Sequence, residues 1–390
     1  LEDRTYTRTP TVRASSAAAG HAAACALDGD RTTSWCSGPG AGPHRLAIDF
    51  GEIREFGGLD IRWLMGALPL SFRVELSDDG AAWRTVHAAD APDGLRSRVA
   101  VPGATARHLR LVMAAPGAVG IRAVAVEPFA VSRSTHAFVA HVAADEPRAH
   151  HPRWLAGEQS YWTSIGLPDG NTCAIMNEEG MVEPDRGSWS LEPFLHEGSR
   201  LLGWADARPF LSLHEGWMPI AAVLRRHPGL ELETTACAVR RDGTPVLHVR
   251  YRVTAIARRS LRLFVAIRPF QVNPPWQEFG DLGGMSRIET IAAEGRGARI
   301  NGDRVVVPLE PPSGFGAAAF AHGTLTSYLA LGELPPRAAV TDPFGCASAA
   351  FAFSGTARKR APTNRGSPRS GTSSARSASS SRPSGSTVRT

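Results

Sequence analysis

Apolar and polar residues alternate with period two in block after block of this chain. His44 to Gly51 (HRLAIDFG) alternates and closes on Gly, and Gly58 to Trp63, Ser71 to Leu76 and Arg107 to Val112 repeat the pattern. Such runs predict half-buried strands. The turn Ser77-Asp78-Asp79-Gly80 leads into Trp83. The same beat returns beyond residue 153, at Thr172 to Met176, Gly187 to Leu195, Ser199 to Trp204, Leu230 to Val239, Val246 to Ala255, Ser260 to Pro269 and Arg304 to Val307. Within Val246 to Ala255, His248, Arg250, Arg252 and Thr254 share one face with Val246, and Leu247, Val249, Tyr251 and Val253 share the other. That is a strand with one buried face, as in a large antiparallel sheet. Helical pattern is confined to short pieces, one near His136 to Ala143 and one near Arg337.

The pattern divides the 390 residues into a first β domain over 10–128, a linker over 129–152 and a larger β domain over 153–354. Residues 1–9 read as a linker remnant. About 200 residues of strands imply a two-sheet sandwich rather than a small module. After Ser354 the composition collapses to nearly all Arg, Ser, Thr, Pro, Ala and Gly, with Val388 the one aliphatic residue larger than Ala. Such a segment buries no core, so 355–390 is expected to be a disordered basic tail. A tail for acidic partners and an inert linker are two origins for it. A frameshift in GC-rich DNA is the third, favoured by the abrupt onset inside the strand-like run Ala347 to Ser354.

Charge changes the picture only once it is located. The net charge of +6 rests on eight cationic residues of the tail; without them 35 basic side chains face 37 acidic ones, a formal −2. The basicity therefore does not point to nucleic acid. No apolar run reaches the ~18 residues of a membrane span. Leu1 to Arg4 has no Met, basic start or apolar core, so it is not a signal peptide and reads as an internal start; the compartment is not legible. Five cysteines without a Cys-x-x-Cys pair argue against zinc. Cys25 and Cys36 flank one loop and could bridge; buried free thiols are the other reading.

The loop Ala26-Leu27-Asp28-Gly29-Asp30-Arg31-Thr32-Thr33-Ser34-Trp35 adds the first chemistry. Its short acidic and hydroxyl side chains can bond their own backbone. This loop, followed in order by LAIDFG, LDIRW, VELSDDG with Trp83, and RHLRL, resembles the discoidin (coagulation factor 5/8 type C) domain over residues 10–128. Bacterial versions of that domain include family 32 carbohydrate-binding modules. Farther on, GEQSYW (157–162), NEEG (177–180), GSWSLEPF (187–194), LFVAIRPFQVNPPW (263–276) and DPFG (342–345) resemble large bacterial proteins in which a supersandwich domain precedes an (α/α)6 six-hairpin barrel of glycoside hydrolases or phosphorylases. The resemblances imply an all-β chain: a discoidin-like jelly-roll sandwich plus a larger antiparallel β-supersandwich, with a disordered C-terminal tail. They imply a glycan or oligosaccharide as external partner and a catalytic barrel, absent here, as intramolecular partner.

The first resemblance also implies site residues. A structural calcium would take oxygens from Asp28, Asp30 and Thr33; the family's Glu ligand falls at Ala123, and Glu127 lies four residues on. The alternative is a metal-free, hydrogen-bonded loop. Sugar contacts are expected at one loop end, with His44, Arg45 and Arg96 as the candidates from loops at 44–45, 63–68 and 87–96. Trp35, Trp63 and Trp83 hold core-like positions. No catalytic residue is assigned. Glu178, Glu179, Glu183, Asp185 and Glu192 could in principle supply an acid and a base, but they read as turns before strands. His150-His151 reads as a solvent-facing linker, and Arg153, Trp154, Tyr161 and Trp162 as packing at the domain interface. No phosphate loop or nucleophile elbow is present. The chain thus reads as a non-catalytic fragment of a carbohydrate-active protein; a structural or adhesion module without sugar affinity and a glycoside hydrolase or phosphorylase component are the alternatives.

Overall fold

A computed structural model describes residues 6–90, 92, 94–276, 283–357 and 386–389. The first domain comprises β1 (Thr11–Ala14), β2 (Trp35–Cys36), β3 (His44–Trp63), β4 (Ser71–Ser77), β5 (Arg84–Asp90), β6 (Arg96–Ala114) and β7 (Gly120–Glu127). They form one antiparallel sheet in the order β2-β7-β3-β6-β4-β5, with β1 on β3. The runs read separately at 44–51 and 58–63 are halves of the single strand β3. Its pairing with β6 shifts register between Asp49 and Arg54 and again between Phe56 and Gly58. Such irregularities bend strands, so the sheet closes on itself as a jelly-roll sandwich. Inside lie Trp35, Leu46, Ile48, Phe50, Ile61, Trp63, Phe72, Val74, Leu109 and Leu111. The alternation predicted at 44–50 is realised, with 44, 46, 48 and 50 buried. Trp83 is only half-buried; Arg110 lies over its ring, 4.0 Å from the centroid.

The segment between the domains is ordered. Helix α1 (Thr135–Ala144) starts at Ser134, whose side chain accepts from the Ala137 amide. Phe138 of α1 packs edge-on against Phe344 (5.2 Å) and Phe320 (5.5 Å) of the second domain. Val131 and Val142 join that small core.

The second domain pairs two sheets. One runs Gly314–Ala318, Ser348–Ala357, Arg259–Arg268, Ser190–Glu197, Val182–Glu183, Cys173–Asn177, Trp162–Gly166, with Arg200–Leu202 on Ser190–Glu197. The other runs Arg208–His214, Met218–His227, Leu230–Arg241, Thr244–Ala255, Ser386–Arg389, Arg304–Pro308, Gly297–Ile300, Thr290–Glu294, Ala339–Thr341. Between them Leu191, Leu195, Val223, Leu232, Val249, Tyr251, Leu263, Val265, Ile267 and Phe351 make the larger core. Leu247, Val249 and Tyr251 point inward as their alternation predicts; Val246, expected on the open face, is buried at the strand's edge. At the sheet's free edge, Phe210, Leu211, Leu213 and Trp217 are exposed.

Two expectations are corrected, and one open choice is decided. The second helix, α2 (Leu325–Ala330), precedes Arg337, because Pro335 and Pro336 stop helix there; Arg337 instead bridges to Ala317. Parts of the supposed tail are paired: 355–357 continue the strand Ser348–Ala357, and Val388 lies opposite Val249 in the strand Ser386–Arg389. Residues 358–385 lie outside the described residues. The open choice is the cysteines: all five are free thiols, Cys25 and Cys36 included, as the second of the two readings has it.

Gly58 shows how tightly β3 meets β6. A Cβ there would sit 2.3 Å from the Val99 carbonyl oxygen. Gly58→Ala is expected to cost about 2 kcal/mol or more, read as a lower denaturant midpoint for the first domain.

Candidate functional site

Where the jelly roll faces the second domain, a cleft of about 590 Å³ opens. Arg62, Trp63, Leu95, Arg96, Arg98 and Arg122 line one wall; Glu146, Phe320, Thr324, Tyr328, Leu331 and Glu333 line the other. The register explains the first wall. Arg62 and Arg96 are directly opposed at the end of the β3–β6 ladder, and Arg62 also faces Ala123, next to Arg122, on β7. The second wall is built by α2 and the turn after it, held against the linker by Phe320.

The arginines are not equivalent. Arg96 donates from Nε and Nη2 to Asp60 at 2.7 and 2.6 Å, and from Nη2 to Asp145 at 2.9 Å. Arg98 is buried, donating to the Val142 carbonyl (2.9 Å) and to Asp145 (3.1 Å). Arg62 only approaches Asp60, at 3.7 Å. Burial lowers its pKa from the ordinary value, as does the charge of Arg96. Arg122 gives one Nη1 to the Arg31 carbonyl (2.7 Å), and no carboxylate among the described residues lies within ion-pair distance of it. Leu95 and Leu331 present apolar surface, 48% and 73% exposed.

Glu146 is the join between linker and second wall. It accepts from His151 Nε2 (3.0 Å), Thr324 Oγ1 (2.9 Å) and Thr326 Oγ1 (3.3 Å). Burial alone would raise its pKa, but His151, Thr324 and the charge of Arg98 hold it down at about 2. His151 is thus buried and engaged rather than solvent-facing. Trp154 is buried, with Nε1 donating to the Gln271 carbonyl at 3.0 Å, whereas Tyr161 and Trp162 are 67% and 45% exposed and pack no interface.

The sequence candidates scatter. Arg96 lines the cleft. His44 is buried and its Nε2 is engaged by the Gly117 carbonyl at 2.8 Å, and Arg45 is exposed; neither lines the cleft. Asp28, Asp30 and Thr33 close their loop on themselves. Asp28 accepts from the Asp30 amide (2.9 Å) and Thr33 Oγ1 (2.8 Å); Asp30 accepts from the Thr32 amide and hydroxyl (2.8 and 2.7 Å). With two carboxylates, Ala123 at the third ligand position and the Arg31 carbonyl taken by Arg122, the donor set does not fit a hard cation that seeks six to eight oxygens. Among the described residues no group of three or more His, Cys, Asp or Glu is placed to hold a metal.

The acidic cluster is divided among internal partners. Arg153 pairs with Glu178 (3.0 Å) and, through Nε, with Glu179 (2.6 Å). Glu192 pairs with Arg268 at 2.7 Å. Glu183 accepts from the Gly187 and Val272 amides at 2.6 and 2.8 Å. Burial raises Glu179 and Glu183 to about 7. These groups serve the fold. The cleft-lining residues that sequence reading missed are Arg62, Arg122 and the α2 wall, joined only by the docking of two domains some 200 residues apart.

Residues 11–124 match the F5/8 type C domain, and they form such a discoidin domain. The chitosan-binding module 2 of a Paenibacillus sp. IK-5 chitosanase/glucanase, solved with chitotriose, is 21% identical, spans 32% of this chain and 99% of the module, and has a TM-score of 0.29. The family 32 carbohydrate-binding module of C. perfringens NanJ, solved with galactose, is 17% identical over 30% of this chain and 92% of that module, TM-score 0.28. CpGH89CBM32-5 of Clostridium perfringens, solved with GalNAc-β-1,3-galactose, is 18% identical over 30% and 94%, TM-score 0.28. No curated protein matches the chain. No helix of the described residues is long and apolar enough to cross a membrane.

The buried Glu183 makes a stability prediction. Its folded pKa lies near 7, above the ordinary 4.5, so its favourable contribution is full below pH 4.5 and is lost as pH rises through 7. Relative to Glu183→Gln, the wild type should lose about 3 kcal/mol across that window, measured by denaturant unfolding at successive pH values.

Proposed function

We propose that residues 11–124 are a glycan-binding module and that the second sandwich is an accessory domain for a catalytic barrel. The observation that carries the first part is the cleft at the loop end of the discoidin domain. Its 590 Å³ falls in the range of small-molecule sites, about 300–1,000 Å³. Leucine surface at Leu95 and Leu331 suits the C–H face of a pyranose, and guanidinium donors suit its hydroxyls. The barrel rests on the sequence resemblance of 157–276 and on the uncovered apolar edge at Phe210, Leu211, Leu213 and Trp217.

A glycan array followed by titration calorimetry tests the module. We expect binding, weakened about tenfold or more by Leu95→Ser with Leu331→Ser through lost apolar contact. An array without any binding would favour a structural module lacking sugar affinity.

We propose further that the Asp28–Thr33 loop works without calcium. Its melting temperature should then move by less than about 1 °C between millimolar calcium and excess chelator, since only a ligand bound to the native state stabilises it. A rise of several degrees with calcium would overturn this.

A further inference from the structure

Building on the glycan-binding reading, we propose that the interdomain cleft selects a carboxylated sugar, a uronate or sialate residue, whose carboxylate is gripped by Arg62 and Arg122. Among the described residues, the cleft's lining carries four arginines, Arg62, Arg96, Arg98 and Arg122, against two carboxylates, Glu146 and Glu333. Two of the cations are already answered from behind. Arg96 pairs with Asp60 and Asp145 and Arg98 with Asp145, and neither carboxylate lines the cleft. Glu146 is likewise engaged, by His151 and the two threonines. Arg62 and Arg122 remain. The first has a single 3.7 Å approach to an Asp60 whose oxygens Arg96 already occupies. The second donates one nitrogen to a neutral carbonyl.

Arg31 adds a further cation beside them. It lies near enough to Arg62 to disfavour its charge, and its carbonyl holds Arg122. Two half-buried cations, Arg62 and Arg122, beside the exposed Arg31 are costly to hold together unless an anion offsets them. A planar carboxylate matches the guanidinium fork in geometry and charge. The apolar side chains of Leu95 and Leu331 then take the ring. A neutral glycan would fill the same volume and leave Arg122 without a carboxylate and Arg62 with only its 3.7 Å contact to Asp60.

The test uses the full chain. Oligosaccharides of glucuronate, galacturonate and mannuronate, and a sialylated oligosaccharide, are each titrated beside the carboxyl-reduced counterpart. At least one acidic ligand is expected to bind about tenfold or more tighter than its reduced form, with the gap narrowing as salt rises. Arg62→Gln with Arg122→Gln should erase the gap. Should that double variant melt early, Leu331→Asp on the exposed opposite rim serves instead, weakening the acidic ligand more than the neutral one. Equal affinity for acidic and reduced forms overturns the inference and leaves glycan binding standing. A preference that survives both substitutions overturns the assignment to these arginines. Binding of neither form, with a silent array, overturns the inference together with the reading beneath it.

Discussion

A buried carboxylate at the end of the linker, Glu146, fixes the geometry on which the cleft depends. It closes α1 onto the second domain through His151, Thr324 and Thr326 at once. Two of these partners start or lie in α2, so the same contacts that dock the linker also place the far wall of the cleft. Removing the carboxylate would leave buried hydroxyls and an imidazole without their acceptor, a loss of several kcal/mol at such sites. The aromatic trio Phe138, Phe320 and Phe344 supplies the apolar half of this joint. Together they turn what composition suggested was a tether into a rigid bracket.

Most of the fold was legible because its signal is local. Strands with one wet face alternate, and those at 44–50 and 247–251 were readable residue by residue. What was not legible was continuity. The two halves of β3 look like separate strands because the bend at 50–57 interrupts the alternation with Gly51, Gly57 and Gly58. The linker failed for a different reason. His150-His151 before a proline looks like a solvated turn, and nothing nearby in sequence reveals that Thr324 and Thr326 complete its polar cage.

The site was legible in part. Arg96 stood out as a loop arginine, and it does line the cleft. His44 stood out for the same reason, yet it begins a strand with its ring turned to the Gly117 carbonyl. Arg62 and Arg122 sit in strands, and the sequence reading assigned neither of them a role of its own. Their significance comes from which cations keep an internal counter-charge and which do not, a property of three-dimensional pairing. The carboxylates at 178–192 show the converse: a conspicuous acidic run in sequence becomes four separate internal pairings in space, Asp185 with Arg304 among them.

The cleft belongs to neither domain alone. Anything seated between Arg122 and Leu331 touches both sandwiches, and so binds only their docked arrangement. Occupancy would act as a third strut beside the Glu146 cage and the phenylalanine cluster. A ligand there would strengthen the coupling between the two domains' unfolding. Recognition at this joint would therefore also set how mechanically continuous the chain is, from its first sheet to its last.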